Sequence, residues 1–271
     1  MGWPVGHSRS PRLHGYWLAH YRIDGAYVPL PVTPEDLAQA LKALPILGFA
    51  GVNLTIPHKE RAAALMDRLQ PAARRIGAVN TVIVRDSELI GDNTDGYGFL
   101  ESIKEAVPDW QTASGPALIL GAGGTARAVI AALVDAGVPE IRLANRTVAR
   151  ADAIAEEFGG AIRIYAWSDR ARALEGAALL VNTTSLGMIG APALELTLEG
   201  LPSGAVVCDV VYTPLETELL AAARARGHPA IDGLGMLLHQ ARPGFAAWFG
   251  VTPQVTPQLR TFVLQSLQEA V

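Results

Sequence analysis

ALILGAGGTA, at residues 117–126, is the stretch that decides the fold. A short apolar run, Ala117 to Leu120, leads into a glycine-rich turn, and a helix-like segment from Thr125 to Ala136 follows. Glycine is needed in such a turn because a Cβ would obstruct both the sharp bend and a pyrophosphate that approaches the backbone. Free N–H groups at the helix N-terminus attract phosphates. The stretch therefore predicts a dinucleotide-binding turn, with Ala126 at the third glycine position of the usual pattern.

Short apolar runs alternate with helix-like segments on both sides of this turn. After it, we expect strands at 140–144, 178–182 and 205–210, and helices at 147–158 and 216–226. This alternation favours an α/β fold with a parallel sheet that helices cover on both faces.

The first hundred residues alternate in the same way. The expected elements are strands at 27–32 and 49–55, helices at 34–44 and 59–69, a hairpin or two adjacent strands at 78–84 and 88–91, and a helix at 98–106. The polar, turn-rich residues 108–115 make the best linker, so we expect two α/β domains that meet near there. The final helices, from Gly235 onward, fit either half.

The composition excludes several classes of protein. Of the 271 residues 50% are hydrophobic and 18% charged, which suits a sizeable core. A net charge of -4 without a basic face argues against nucleic-acid binding. No apolar stretch approaches the ~20 residues of a membrane span, and no signal-peptide pattern is visible. The lone Cys208 permits neither an intrachain disulfide nor a zinc–thiolate cluster. We therefore expect a cytoplasmic protein without a metal, a nucleic-acid partner or a membrane anchor.

The residues about twenty positions after the glycine turn bear on the cofactor. An Asp or Glu there would favour NAD, through its ribose 2′-hydroxyl. The chain instead has Asn145, Arg146 and Thr147. A guanidinium can grip phosphate oxygens in a bidentate way, which suits the 2′-phosphate of NADP(H). Arg150, one turn further on, is more simply a solvated helix-face residue.

Polar residues recur in the first half where a core would not need them. They are Ser8, Ser10, Asn53, Thr55, Asn80 and Asp95. Ser8 and Ser10 alternate, so both hydroxyls would face one side of an extended segment. Taken singly, each of the six is explained by a cap or a turn. Together they predict a ligand site, because ligands bind beyond the carboxyl ends of parallel strands.

Lys59 and Asp95 in such a site predict carbonyl reduction. A lysine ammonium can donate the proton that must arrive as hydride adds, and it stabilises the developing alkoxide. A neighbouring carboxylate would hold the lysine and help to shuttle the proton. Hydroxyl and amide side chains suit a substrate with several OH groups and a carboxylate. The sequence has no serine nucleophile elbow, P-loop or metal-binding His-Glu helix.

Several blocks together carry a resemblance to one family. They are HSRSP (7–11), NLTIPHK (53–59), AVNT (78–81), GDNTDG (91–96), GAGGTA (121–126), NRT (145–147), NTTSLGM (182–188), DVVY (209–212) and GMLLHQA (235–241). Through their order and spacing the chain resembles shikimate dehydrogenases along essentially its whole length. The resemblance implies reversible NADPH-dependent reduction of 3-dehydroshikimate to shikimate, in chorismate and aromatic amino acid biosynthesis.

The resemblance also implies domains and residue roles. It implies an N-terminal α/β substrate-binding and catalytic domain at 1–106, joined by the C-terminal helices 238–271, and a Rossmann-type NADP-binding domain at 107–237. Lys59 and Asp95 look like the catalytic pair. The substrate contacts it implies are Ser8, Ser10, Thr55, Asn80, Tyr212 and Gln240. The cofactor contacts it implies are Gly121, Ala122, Gly123, Gly124, Thr125, Ala126, Asn145, Arg146, Thr147, Thr184, Ser185, Met188, Val210, Gly233 and Met236.

Some alternatives stay open. By themselves Gln240 is an ordinary helix-surface residue and Tyr212 a strand-end aromatic. Gly15 stands where the family commonly has Asn, at the edge of the substrate site. A quinate or quinate/shikimate dehydrogenase would share this fold, and Ser8 is the position to examine for it. A non-catalytic NADP-binding regulator would be expected to lose Lys59 or Asp95. HSRSP and GDNTDG argue against a methylenetetrahydrofolate-type dehydrogenase. We expect a monomer or a homodimer.

Overall fold

A computed structural model of the chain describes residues 1–6, 8–160 and 162–268, with side chains up to residue 265. His7 of the HSRSP block and residues 269–271 of the predicted C-terminal segment lie outside the described residues. The chain divides into two units. The first holds Met1–Gly98 and the chain from Leu237 onward, and the second holds Phe99–Met236.

The second unit is built on a six-stranded parallel sheet of order β10-β9-β8-β5-β6-β7. Its strands are β5 (Ala117–Leu120), β6 (Ile141–Asn145), β7 (Ile162–Ala166), β8 (Leu179–Asn182), β9 (Val206–Asp209) and β10 (Ala230–Ile231). Its own helices are α6 (Gly124–Asp135), α7 (Val148–Phe158) and α8 (Glu218–Ala225), with 3-10 turns at Thr112–Ser114, Trp167–Asp169 and Arg172–Leu174.

Both faces of this sheet are buried. Ile119 packs into one hydrophobic core, while Leu118 and Leu120 pack into another on the opposite face. A strand buried on both faces reads as a continuous apolar run, which is why β5 is recognisable from the sequence. Gly137 and Gly159, with φ of 84° and 86°, adopt the positive φ that often ends a helix. The predicted Rossmann-type architecture is confirmed.

The first unit is built on a smaller mixed sheet of order β1-β3-β4-β2. Its strands are β1 (Gly51–Asn53), β2 (Arg68–Leu69), β3 (Thr81–Arg85) and β4 (Glu88–Asp92). Its helices are α1 (Ser10–His20), α2 (Leu37–Ala43), α3 (Lys59–Ala63), α4 (Pro71–Ile76) and α10 (Pro257–Gln268). Two further helices, α5 (Asp95–Ala106) and α9 (Gly233–Phe249), each contain a division between the units. Among the described residues no helix is both long and apolar enough to span a membrane.

The parallel-strand argument for the ligand site is wrong in this unit. Among the described strands of this sheet, the one parallel pair is β2 with β4, whereas β3 is antiparallel to both β1 and β4. The register pairs Asn53 with Thr81 and Thr81 with Asp92, so the ends of β1 and β4 flank the start of β3. Polar residues therefore gather at one edge because antiparallel neighbours place the end of one strand beside the start of the next.

Three local predictions also need correction. The expected strand at 27–32 is reduced to an isolated bridge between Gly2 and Pro31, because prolines at 29 and 31 have no N–H to donate. The helix expected at 59–69 ends at Ala63, and β2 follows. The segment with Ser8 and Ser10 is not extended. Instead α1 begins at Ser10, whose N–H donates to Ser8 Oγ at 3.3 Å.

The predicted domain limit at residue 106 lies eight residues beyond Gly98, where the first segment of the first unit ends. Phe99 and Ile103 of α5 account for the difference, since both pack in the same core as Ile119.

Candidate active site

Lys59 and Asp95 form an ion pair at the polar edge of the first sheet. Lys59 is the first residue of α3 and Asp95 the first residue of α5. Lys59 Nζ lies 2.5 Å from Asp95 Oδ2, and their side chains are 14% and 5% exposed. Charges so shielded from water interact more strongly than a surface pair does. The site thus holds a proton donor whose position a buried carboxylate fixes.

Asn80 donates a hydrogen bond to the other oxygen of the Asp95 carboxylate. Its Nδ2 donates to Asp95 Oδ1 at 2.7 Å and to Gln240 Oε1 at 3.2 Å. Its Oδ1 accepts from the backbone N–H of Thr94 at 2.9 Å. Both oxygens of Asp95 therefore accept from side-chain donors, and a carboxylate held in this way has little freedom to turn.

Gln240 reaches this cluster because α5 and α9 approach closely at Gly98. A Cβ at Gly98 would lie 2.5 Å from Gln240 Cβ and 2.7 Å from its backbone nitrogen. Any larger residue at position 98 would displace the backbone that carries Gln240.

Ser8, Ser10 and Thr55 lie around a cavity of about 80 Å³, together with Tyr27 and Asn53. Asn53 joins this cavity to the cluster around Lys59 and Asp95, because its Nδ2 donates to the backbone oxygen of Asn80 at 3.1 Å. Five of the six predicted substrate contacts thus lie in the first unit: Ser8, Ser10, Thr55, Asn80 and Gln240. Tyr212, the sixth, belongs to the second unit.

The glycine turn lies between β5 and α6, as the sequence predicts. Gly121 has φ 106°, and a Cβ there would lie 2.8 Å from Thr183 Oγ1. At Gly123, by contrast, a Cβ would meet nothing within 4 Å. This open space borders the N-terminus of the 12-residue helix α6. The turn therefore fits a pyrophosphate, which needs both a close backbone approach and free helix N–H groups.

The predicted phosphate-recognition residues follow β6. Asn145 ends the strand, and its Nδ2 donates to the backbone oxygen of Thr147 at 2.8 Å. Arg146 and Thr147 are exposed. Within the described part of the chain, no carboxylate pairs with Arg146. An exposed arginine beside a strand end fits the additional phosphate of NADP(H).

The loop with Thr184, Ser185 and Met188 is shaped by Asn182, a buried residue that ends β8. Asn182 Oδ1 accepts from the N–H of Thr184 at 3.1 Å and from its hydroxyl at 2.7 Å. Asn182 Nδ2 donates to the backbone oxygen of Leu186 at 3.1 Å. One amide thus fixes the path of the loop that the family resemblance assigns to the nicotinamide.

Asp209, at the end of β9, ties this loop to its neighbours. It is 2% exposed and accepts from Asn182 Nδ2 at 3.0 Å, from the N–H of Val211 at 3.0 Å and from Thr217 Oγ1 at 2.8 Å. Burial raises the pKa of Asp209 to about 6, and these three hydrogen bonds only partly oppose the effect. Asp209 is therefore a hub that holds several loop ends together.

Three other predicted cofactor residues, and the predicted substrate contact Tyr212, also belong to the second unit. Val210 follows Asp209 directly, Tyr212 lies two residues further on, and a Cβ at Gly233 would collide with the backbone of Val210. Met236 is 7% exposed and packs in the core of the second unit, so only a small part of its surface can face a ligand.

The sequence argument gave no role to six polar residues that organise these sites. They are Asn53, Thr81 and Thr94 in the first unit, and Asn182, Asp209 and Thr217 in the second. The available signal was a polar residue at the end of an apolar run. This signal identified Asn53 as part of a polar cluster but gave it no role.

Comparisons with known proteins agree with one another. Residues 1–82 match the model of the shikimate dehydrogenase substrate binding domain, and residues 102–189 match the model of shikimate / quinate 5-dehydrogenase. The chain is 61% identical over 265 residues to shikimate dehydrogenase (NADP(+)) of Paramagnetospirillum magneticum, which covers 97% of this chain and 96% of that protein.

Two solved structures extend these similarities. Shikimate 5-dehydrogenase from Thermus thermophilus, in complex with NADP(H) and shikimate, is 40% identical with a TM-score of 0.86, over 100% of this chain and 97% of that one. Quinate dehydrogenase from Corynebacterium glutamicum, in complex with NAD, is 32% identical with a TM-score of 0.89, over 97% and 96% of the two chains.

Proposed function

The chain belongs to the shikimate dehydrogenase family, and from this membership we propose that it catalyses the reversible, NADPH-dependent reduction of 3-dehydroshikimate to shikimate. The observation that carries the proposal is the shielded Lys59–Asp95 pair, with both carboxylate oxygens held by donors. The reaction places the enzyme in chorismate and aromatic amino acid biosynthesis. A regulator without catalysis would have no need to keep this pair.

Lys59 acts as the general acid in the reduction. Its ammonium donates a proton to the carbonyl oxygen while negative charge develops there, and in the reverse direction the amine takes the proton from the alcohol. Asp95 keeps Nζ in place and helps to pass the proton on. When bound, the nicotinamide supplies the hydride in reduction and accepts it in oxidation.

The cavity side of the first unit orients the substrate. Ser8 and Ser10 offer hydroxyl donors that suit its carboxylate, and Thr55 lies beside them. The amides of Asn80 and Gln240 both donate and accept, which suits ring hydroxyls beside the catalytic pair. Tyr212 of the second unit supplies a further contact. In this assignment residues 1–106 and 238–271 bind the substrate, and residues 107–237 bind the cofactor.

The second unit binds NADP(H). Gly121, Gly123 and the N-terminus of α6 hold the pyrophosphate, and Arg146 holds the 2′-phosphate between Asn145 and Thr147. The remaining residues of the glycine turn are Ala122, Gly124, Thr125 and Ala126. The residues proposed to line the nicotinamide side are Thr184, Ser185, Met188, Val210, Gly233 and Met236.

Quinate is the competing substrate, since the chain is also similar to a quinate dehydrogenase. Quinate carries an extra hydroxyl that must fit beside Ser8. We expect shikimate to be preferred. The cytoplasmic location and the monomeric or homodimeric state stay predictions, which cell fractionation and light scattering would test.

The function is tested by the rate of absorbance change at the nicotinamide band, with shikimate or quinate and with NADP⁺ or NAD⁺. We expect activity mainly with shikimate and NADP⁺. Activity chiefly with quinate or NAD⁺ would move the protein to a sister branch of the family. Folded protein that is inactive in every combination would overturn the proposal.

A further inference from the structure

A continuous chain of hydrogen bonds connects Tyr27 to the Lys59–Asp95 pair. The Tyr27 hydroxyl donates to Asn53 Oδ1 at 2.8 Å, and Asn53 Nδ2 donates to Thr81 Oγ1 at 3.0 Å. The Thr81 hydroxyl donates to Asn80 Oδ1 at 2.9 Å, and Asn80 Nδ2 donates to Asp95 Oδ1 at 2.7 Å. Each link uses one donor and one acceptor of a polar side chain.

Every donor in this chain points towards the carboxylate of Asp95. Hydrogen bonds arranged head to tail polarise one another, so the last donor becomes stronger than an isolated amide. The backbone oxygen of Asn80 can only accept, and it accepts from Asn53 Nδ2 at 3.1 Å, so the Asn53 amide must face Asn80 with its N–H groups and Tyr27 with its oxygen. The Tyr27 hydroxyl donates to this oxygen and so holds the amide in place at the far end of the chain.

Tyr27 is itself held in one orientation. The ring of His14 stacks on it with centroids 4.1 Å apart and planes 5° from parallel. Ser10, a proposed substrate contact, lines the same cavity as Tyr27. Burial raises the pKa of Tyr27, so the hydroxyl keeps the proton that it donates.

His14, which stacks on Tyr27, carries no charge. Burial lowers the pKa of His14 to about 3, so the imidazole stays neutral where the enzyme works. Neither ring nitrogen has a hydrogen-bond partner in the described part of the chain. His14 therefore acts on Tyr27 through packing alone.

We propose that Tyr27 is a positioning residue for the reaction: through Asn53 and Thr81, its hydroxyl orients the Asn80 amide that holds Asp95 against Lys59. The inference rests on the proposed function and deepens it. It also links the two parts of the first unit, because Tyr27, at the cavity that Ser10 lines, and Asp95, beside Lys59, lie at opposite ends of one chain. Tyr27 touches none of the reacting atoms in this account.

Tyr27→Phe is the test, because it removes the hydroxyl and keeps the stacked ring. We expect kcat for shikimate oxidation to fall about tenfold, which corresponds to the loss of one hydrogen bond to the network. The KM for NADP⁺ should stay within about twofold of the wild-type value, as should the KM for shikimate. A purely structural role would instead lower the melting temperature and leave kcat of the folded fraction unchanged.

Tyr16→Phe is the matched control. Tyr16 lies on α1, the helix that also carries His14, and its hydroxyl has no hydrogen bond among the described residues. The same chemical change there should leave kcat, both KM values and the melting temperature as in the wild type.

Thr81→Val tests whether Tyr27 acts through the chain. It breaks a link nearer to Asp95, so the double variant with Tyr27→Phe should lose no more kcat than Thr81→Val alone. Losses that multiply, or an undiminished kcat in Tyr27→Phe, would overturn the inference while an active wild-type enzyme still supports the proposed function. An inactive wild-type enzyme would overturn the proposed function, and the inference with it.

Discussion

Asp95 and Asp209 are two buried carboxylates in contrasting surroundings, one in each unit. Asp95, taken as a whole residue, is 4% exposed, and it faces the ammonium of Lys59 at 2.5 Å. Asp209 is 2% exposed, and in the described part of the chain it meets only neutral donors. The contrast teaches that burial does not define a catalytic acid. Asp95 has a cation partner, which suits the proton transfer proposed for it, whereas the neutral donors around Asp209 suit a structural hub.

The two surroundings also differ in what they cost. A buried carboxylate without a cation must lose hydration that hydrogen bonds only partly replace, and the pKa of Asp209 is accordingly raised to about 6. In exchange the carboxylate fixes Asn182, Val211 and Thr217 in one arrangement. Asp209 therefore holds the loops after β8 and β9 in place, and the free-energy cost of burying its carboxylate varies with pH.

The largest effect is expected at Lys59, where the proposed function places the chemistry. Lys59→Ala removes the proton donor, so kcat should fall about a thousandfold or more. NADP⁺ affinity, measured by fluorescence titration, should change by no more than about twofold. Lys42→Ala, an exposed lysine on α2, is the matched control and should be neutral. Near-normal turnover of Lys59→Ala would remove the role assigned to it.

The next effect is on stability, at Asp209. Because its pKa in the folded state, about 6, exceeds the ordinary 3.8, the folded protein binds the extra proton between these values. Its contribution to stability is thus full below pH 3.8 and is lost as the pH rises to 6. Asp209→Asn abolishes this titration and keeps acceptors and donors of similar shape.

The measurement is the free energy of unfolding by denaturant, for wild type and Asp209→Asn, at several pH values. The difference, variant minus wild type, should rise by about 3 kcal/mol between about pH 4 and 7, at ~1.36 kcal/mol for each unit between the two pKa values. A flat difference would show that Asp209 titrates normally. A falling difference would reverse the sign and contradict the account of the hub.

A smaller effect sharpens the division between chemistry and cofactor binding. Arg146→Ala removes a charged contact to the 2′-phosphate, so the KM for NADP⁺ should rise roughly thirtyfold, within the ~1.5–3 kcal/mol of such a bond. The KM for NAD⁺ should hardly change. Arg150→Ala, one turn further on, is the control and should affect both cofactors little. Equal losses for NADP⁺ and NAD⁺ with Arg146→Ala would exclude a 2′-phosphate contact.

The second unit was largely predictable from the sequence, and the first was not. Parallel strands buried on both faces read as apolar runs, and glycines mark the helix ends, so β5, β6, β8 and β9 were expected near their observed positions. The exceptions are informative. The edge strand β7 is half-exposed and contains Arg163, and β10 has only two residues, so neither forms an apolar run.

In the first unit, short strands and prolines blur the pattern. The prolines at 29 and 31 lie in an apolar stretch that resembles a strand, yet they cannot donate to a ladder. The sequence predicted that polar residues would gather at one edge of the sheet, and they do. The cause, however, is antiparallel pairing and not the shared ends of parallel strands. Apolar periodicity gives no information on the direction of a strand, and for that reason the antiparallel pairing of β3 could not be read from it.

The candidate residues were found in the sequence, but their connections were not. Lys59, Asp95 and Asn80 were identified from polar interruptions and from the family blocks. The links through Asn53 and Thr81, and the hub at Asp209, depend on which side-chain atoms lie within about 3 Å of one another. Such contacts join residues far apart in the chain, which local patterns cannot specify.

The most direct test makes the same substitution at both carboxylates and measures kcat at saturating shikimate and NADP⁺. Asp95→Asn should lower kcat by at least about a hundredfold, because the amide no longer pairs with the Lys59 ammonium or shuttles its proton. Asp209→Asn, assayed at a pH where it is folded, should keep kcat within about threefold of the wild-type value. Similar losses in the two variants, or a larger loss at Asp209, would contradict the assignment of chemistry to Asp95 and of structure to Asp209.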